Sequence, residues 1–204
     1  MGCERNDYKE LIGHKYGCEY KIKLQKVTDK DDDKLTYFWC ENDYLMTYIE
    51  KLRKNDKDNV PYMFLDVENN RAIAFFTIKA NGIMARMYDE IDKKKYTTVL
   101  PAIIFDNFVV RFEYWHKQYK PYKTEYRSEK YKKNSLSAVL CKKIIQYIKK
   151  HINKDIGARY ICIYAVPDFK DFYYRLGFKN FEPYMVRDKD PHLNRCIPMY
   201  MEIN

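Results

Sequence analysis

Apolar and polar positions alternate with period two where Tyr20, Ile22 and Leu24 interleave with Lys21, Lys23 and Gln25. An extended chain puts successive side chains on opposite faces, so this pattern predicts a first strand with one wet face. Thr28 to Lys34 reads as a charged turn. The spacing then becomes helical at Tyr44, Leu45, Tyr48, Ile49 and Leu52, with Asn42 or Asp43 placed to cap. Two apolar runs, Pro61 to Val67 and Ala72 to Ile78, flank Glu68-Asn69-Asn70-Arg71. Asn tolerates positive φ, so the segment reads as a β-hairpin with a tight turn. Val99 to Phe112 is the longest apolar stretch, broken by Pro101, Asp106, Asn107 and Arg111. Its β-branched and aromatic content predicts a long, mostly buried strand with a bulge near Asp106.

Tyr114 to Lys133 is basic, Tyr-rich and aperiodic. The strongest helix signal follows over Asn134 to Ile152, where Leu136, Leu140, Ile144, Ile148 and Ile152 recur every four residues. Asn134 or Ser135 is its N-cap and Gly157 its stop. Tyr160 to Ala165 predicts a short buried strand, Pro167 opens a short helix ending at Gly177, and Met199 to Ile203 is a last strand. No Pro/Gly/Ser-rich linker divides the chain, so 1–204 reads as a single domain. Helices among hairpins and crossovers imply a three-layer α/β domain with a mixed sheet.

Composition narrows this little. A hydrophobic fraction of 46% with 21 Tyr and 11 Phe excludes a disordered chain. The net charge of +9 favours anionic partners such as nucleotides, nucleic acid or acidic protein patches, or reflects nothing beyond a Lys-rich surface. None of the six cysteines forms a C-x-x-C pair and the four histidines lack ligand spacing, so no metal is expected. Cys141 and Cys162 sit in apolar periodic segments and read as small core residues. Free cysteines, the lack of an apolar run near the ~20 residues of a membrane span, and a polar start at Met1 to Glu10 together predict a cytoplasmic protein.

Chemistry concentrates in the last third. Gly157-Ala158-Arg159-Tyr160-Ile161-Cys162-Ile163-Tyr164-Ala165 is followed by Pro167-Asp168 and by Phe172-Tyr173-Tyr174-Arg175-Leu176-Gly177-Phe178. This resembles the C-terminal half of the GNAT acyltransferases, in which a strand ending in Ala precedes a short helix reading F-Y-x-x-x-G-F. The upstream order of elements agrees from about Tyr16 onward. The resemblance implies a mostly antiparallel central sheet whose fourth and fifth strands, here Val99 to Phe112 and Tyr160 to Ala165, splay apart around the pantetheine arm of acetyl-CoA. Backbone groups of Phe108, Val109, Val110 and Arg111 would then pair with the pantetheine amides. The family's pyrophosphate loop falls at Lys132-Lys133-Asn134-Ser135-Leu136-Ser137, where its glycines are absent. A helix N-terminus, small serines and two lysines keep part of the anion-binding physics. The structural alternative is that Asn134 and Ser135 only cap the helix.

By the same resemblance Tyr173 protonates the departing thiolate, a step open to a phenol of pKa near 10. Asp106 and Glu113 are the carboxylates available as general base, or are structural. The implied activity is transfer of an acetyl or acyl group from acyl-CoA to a primary amine by direct attack. Two alternatives stand beside it: a GNAT-like binding protein without CoA chemistry, supported by the missing glycines, and a toxin-type acetyltransferase acting on aminoacyl-tRNA. The interleaved tyrosines and lysines of 114–133 suit stacking on bases and contact with phosphates, and equally a solvated lid. The acceptor stays open, as does the choice between monomer and homodimer.

Overall fold

The computed structural model describes residues 11–15, 18–114 and 135–203. The chain falls into two compact units: Met1–Thr77 with Asn107–Val139, and Ile78–Asp106 with Leu140–Asn204. The basic Tyr-rich stretch 115–133, with Lys132 and Lys133, and Asn134 lie outside the described residues.

In the first unit, β1 (Leu11–Lys15) pairs antiparallel with β2 (Cys18–Lys26), which pairs antiparallel with β3 (Val60–Asp66). β2 carries the alternating pattern, and β1 extends the sheet beyond it. Between β2 and β3 lie α1 (Asp32–Leu35) and α2 (Asp43–Thr47), the latter continued by a π turn at Tyr48–Leu52. The Asn42 side chain accepts from the Leu45 amide at 3.0 Å, the cap its position predicts. Ile49, Met63 and Phe75, all at 0% exposure, centre a core that includes Phe38, Leu65 and Val109.

β4 (Arg71–Asp89) and β5 (Lys94–Val110) run through both units. Asn70, at φ 50, supplies the left-handed residue of the β3–β4 turn. Both strands are longer than their apolar runs, because the outer half of β4 and the start of β5 are largely exposed and carry little apolar signal.

The second unit adds α3 (Leu136–Tyr147, entering from the first unit), a π turn at Ile148–Ile152, α4 (Asn153–Ile156), β6 (Tyr160–Ala165), α5 (Lys170–Arg175), β7 (Lys179–Asn180), β8 (Met185–Val186) and β9 (Ile197–Glu202). A strict four-residue repeat drifts about 40° per repeat around an α-helix. Leu136, Leu140, Ile144 and Ile148 are all buried despite that drift, and the π turn begins only at the last of them. Gly157, at φ 65, ends the helix as expected. The strand order is β1-β2-β3-β4-β5-β6-β9-β7, with β8 on β4. β5 and β6 are parallel, whereas β1–β2, β2–β3, β4–β8, β6–β9 and β7–β9 are antiparallel. This is the mixed, mostly antiparallel sheet that the sequence implied. Among the described residues no helix is long and apolar enough to cross a membrane.

Candidate active site

The parallel ladder between β5 and β6 starts at Ala102↔Tyr160 and stops at Ile104↔Cys162. β6 continues to Ala165, paired there among the described residues with β9, whose register runs from Tyr160↔Glu202 to Ala165↔Ile197. Counting two residues beyond the last β5–β6 pair sets Asp106 level with Tyr164. The next residue, Asn107, sits at φ 49, in the left-handed region that asparagine tolerates better than most side chains. Its Nδ2 donates to Thr77 Oγ1 at 3.1 Å. The distortion falls where the bulge was expected.

Past β6 the chain turns through Pro167–Phe169 into α5. Proline at the first helical position fixes φ where its missing N–H costs nothing. Gly177, at φ 97, ends the helix, and the Phe178 amide bonds back to the Tyr173 carbonyl at 3.1 Å. The Tyr173 ring stands edge-on to Phe172 at 5.1 Å and to Phe178 at 5.8 Å. Phe172, Tyr173, Gly177 and Phe178 of the motif thus form one packed unit around Tyr173. The side chain is half-buried. That burial, with Cys141 and Asp106 adding to it, pushes the phenol well above the ordinary tyrosine range. The shift favours the protonated phenol.

The same unit holds a second set of polar groups at the open end of β6. The Asp188 amide donates to Tyr164 Oη at 3.0 Å. Cys196, adjoining the Ile197↔Ala165 pair, donates its amide to the Leu193 carbonyl at 3.0 Å. Burial pushes the Cys196 thiol up, with Arg187 opposing and Asp106 reinforcing. Arg187 donates through Nη2 to the same Leu193 carbonyl. Sequence reasoning missed Arg187 and Cys196, since neither stands in a recognisable spacing.

Other candidates fall elsewhere. Glu113 pairs with Arg71 at 3.4 Å in the first unit, both side chains about half exposed, as a surface ion pair. Val109, Val110 and Arg111 are buried, and the Arg111 amide donates to the Ile73 carbonyl at 2.8 Å. That amide is committed to the sheet. The Arg111 side chain is 1% exposed, its guanidinium 5.1 Å from the Phe38 ring centre, with Nε and Nη1 lacking a hydrogen-bond partner among the described residues. Ser135 Oγ accepts from the Ala138 amide at 3.3 Å, so the serine caps α3. Ser137 is half-buried one turn in. The amides of Leu136 and Ser137 take no partner among the described residues. Cys141 and Cys162 are core residues with 0% exposure, and burial pushes the Cys162 thiol up to about 12, which leaves it inert. Among the described residues no group of three or more His, Cys, Asp or Glu is arranged to hold a metal ion.

No protein-family model and no curated protein matches the sequence. Solved structures do match in fold. A structure of AtaTR bound with AcCoA is similar over 89% of this chain and 94% of that chain, at 12% identity and a TM-score of 0.62. A mutant of the toxin AtaT is similar over 89% of each chain, at 13% identity and a TM-score of 0.60. The GNAT domain of PAT from S. lividans is similar over 96% of each chain, at 9% identity and a TM-score of 0.52. The chain has the GNAT fold. The GNAT strands expected to splay are β5 and β6, numbered one later than in the sequence reading because β1 precedes the others.

Proposed function

We propose that the protein is an acyl-CoA-dependent N-acyltransferase that moves an acetyl group from acetyl-CoA to a primary amine. The observation that carries this is the early end of the β5–β6 ladder at Ile104↔Cys162, with the Tyr173 helix directly after β6. A pantetheine arm needs an unpaired strand edge, and the edge of β6 offers one in a GNAT fold. One similar structure holds AcCoA. Both units work as one acyltransferase domain in this reading, in the cytoplasm.

The acceptor nitrogen attacks the thioester carbonyl, forming C–N as C–S breaks. The amine gives up a proton to Asp106, directly or through water, and the sulfur leaves as thiolate and ends as the thiol. Tyr173 serves the leaving sulfur. A phenol raised by burial is a weak acid toward a thiol of pKa about 8.5. Its main contribution is a preset hydrogen bond to charge growing on sulfur, with solvent completing the proton transfer. Lys132, Lys133, Asn134, Ser135 and Ser137 hold the pyrophosphate in this reading. The serine hydroxyls and the Leu136 and Ser137 amides stand in for the missing glycine loop. Main-chain groups of Phe108 to Val110 serve the pantetheine amides.

A thermal shift with acetyl-CoA is the direct test. Ligand at about 100 times its dissociation constant stabilises by roughly 2.7 kcal/mol. Absence of any shift with acetyl-CoA or longer acyl-CoAs would instead support a GNAT-fold binding protein without CoA chemistry. A second reading is a toxin-type enzyme that acetylates aminoacyl-tRNA. It is favoured by the net charge of +9, the basic tyrosine-rich stretch and the fold shared with the toxin AtaT.

A further inference from the structure

Arg187 follows β8, which is anchored on β4 by Met84↔Val186. Its neighbour Asp188 touches Tyr164 Oη, and its own Nη2 shares the Leu193 carbonyl with the Cys196 amide. Those contacts fix the guanidinium beside the last residues of β6, past the point where β5 stops pairing. Asp106, the proposed proton acceptor, is level with Tyr164 there by strand register. The guanidinium is half-buried, and no carboxylate pairs with it among the described residues. Among the described residues its one hydrogen bond goes to a neutral carbonyl, and Nε is sealed from solvent with no partner there. A half-buried cation with donors left over is costly to hold and is matched by an oxyanion.

We infer that Arg187 determines acceptor specificity and that the acceptor is a primary amine bearing an oxyanion, a carboxylate or a phosphate. This rests on the acyltransferase reading above. Nη1, which is not sealed as Nε is, is the donor offered to the anion, while Nη2 stays on Leu193 and keeps the guanidinium oriented. Anchoring the anion there leaves the amine end free to meet the thioester beside Asp106. The reaction is unchanged: C–N forms, C–S breaks, and the amine proton ends on Asp106 or water.

The test uses the full chain, acetyl-CoA and three amines that share a two-methylene spacer: ethanolamine, β-alanine and O-phosphoethanolamine. Release of the CoA thiol is followed for each. An anionic amine is expected to exceed ethanolamine in kcat/KM by about tenfold or more, the factor a charge-assisted hydrogen bond supplies. The better of the two anionic amines tells carboxylate from phosphate. In Arg187→Gln that ratio falls toward one through a higher KM for the anionic amine, and Arg187→Lys restores part of it. A retained thermal shift with acetyl-CoA certifies that each variant is folded. Equal use of ethanolamine and the anionic amines overturns the inference, as does Arg187→Gln with undiminished preference. So does an enzyme that binds acetyl-CoA yet turns over neither anionic amine. Failure to bind acetyl-CoA at all overturns the acyltransferase reading as well, and the shift assay separates that result from the others.

Discussion

At the scale of single residues, burial decides which groups can react. Cys141 and Cys162 are silenced by it, whereas Tyr173 keeps a proton positioned beside Asp106. Tyr173→Phe preserves the edge-on packing with Phe172 and Phe178 but deletes the donor. It is expected to lower kcat by about 10²-fold with acetyl-CoA binding intact; normal turnover would remove Tyr173 from the mechanism. Asp31 is a structural counterpart, 4% exposed. Burial alone would raise its pKa, but hydrogen bonds from Lys34 at 2.6 Å and from the Thr28 amide and hydroxyl at 2.9 and 2.8 Å hold it below its ordinary 3.8. A depressed carboxylate stabilises the fold above its unfolded pKa and ceases to do so as pH falls through its folded value. Asp31→Asn should therefore cost about 1–3 kcal/mol at neutral pH in urea melts. The gap to the wild type should narrow as pH falls below about 4.

Among the elements, the termini of the long helix show how much was legible. Ser135 as cap and Gly157 as stop follow from residue type, because a short side-chain acceptor and a residue free at positive φ are what helix ends require. A Cβ at Gly157 would meet nothing within 4 Å, so Gly157→Ala isolates the backbone term at φ 65. A loss of about 1 kcal/mol is expected, read as a lower urea midpoint at constant slope. No loss would mean that this turn is not held in the left-handed region. The strands β1, β7 and β8 and the outer half of β4 escaped notice for a physical reason. They are short or exposed, so partners elsewhere in the chain, rather than a buried face, set their conformation.

For the whole molecule, the net charge of +9 is a statement about partners rather than fold. If the acceptor is carried on tRNA, affinity for RNA should fall steeply with salt. Neutralising about six phosphates predicts a loss of roughly 10³-fold between 50 and 200 mM. Weak or salt-insensitive RNA binding in a filter assay would favour a small amine, for which the Arg187 assay is the sharper probe.

Local chemistry in the sequence determined the helix caps, the β3–β4 turn, the long buried helix face and the F-Y-x-x-x-G-F segment, since each depends on residues a few positions apart. Only the tertiary structure decided that the β5–β6 ladder ends after Ile104↔Cys162, and that Asp106, Tyr164 and Arg187 gather at the open end of β6. Those residues are up to 81 positions apart in sequence, and strand register, a property of paired backbones, brings them to one level.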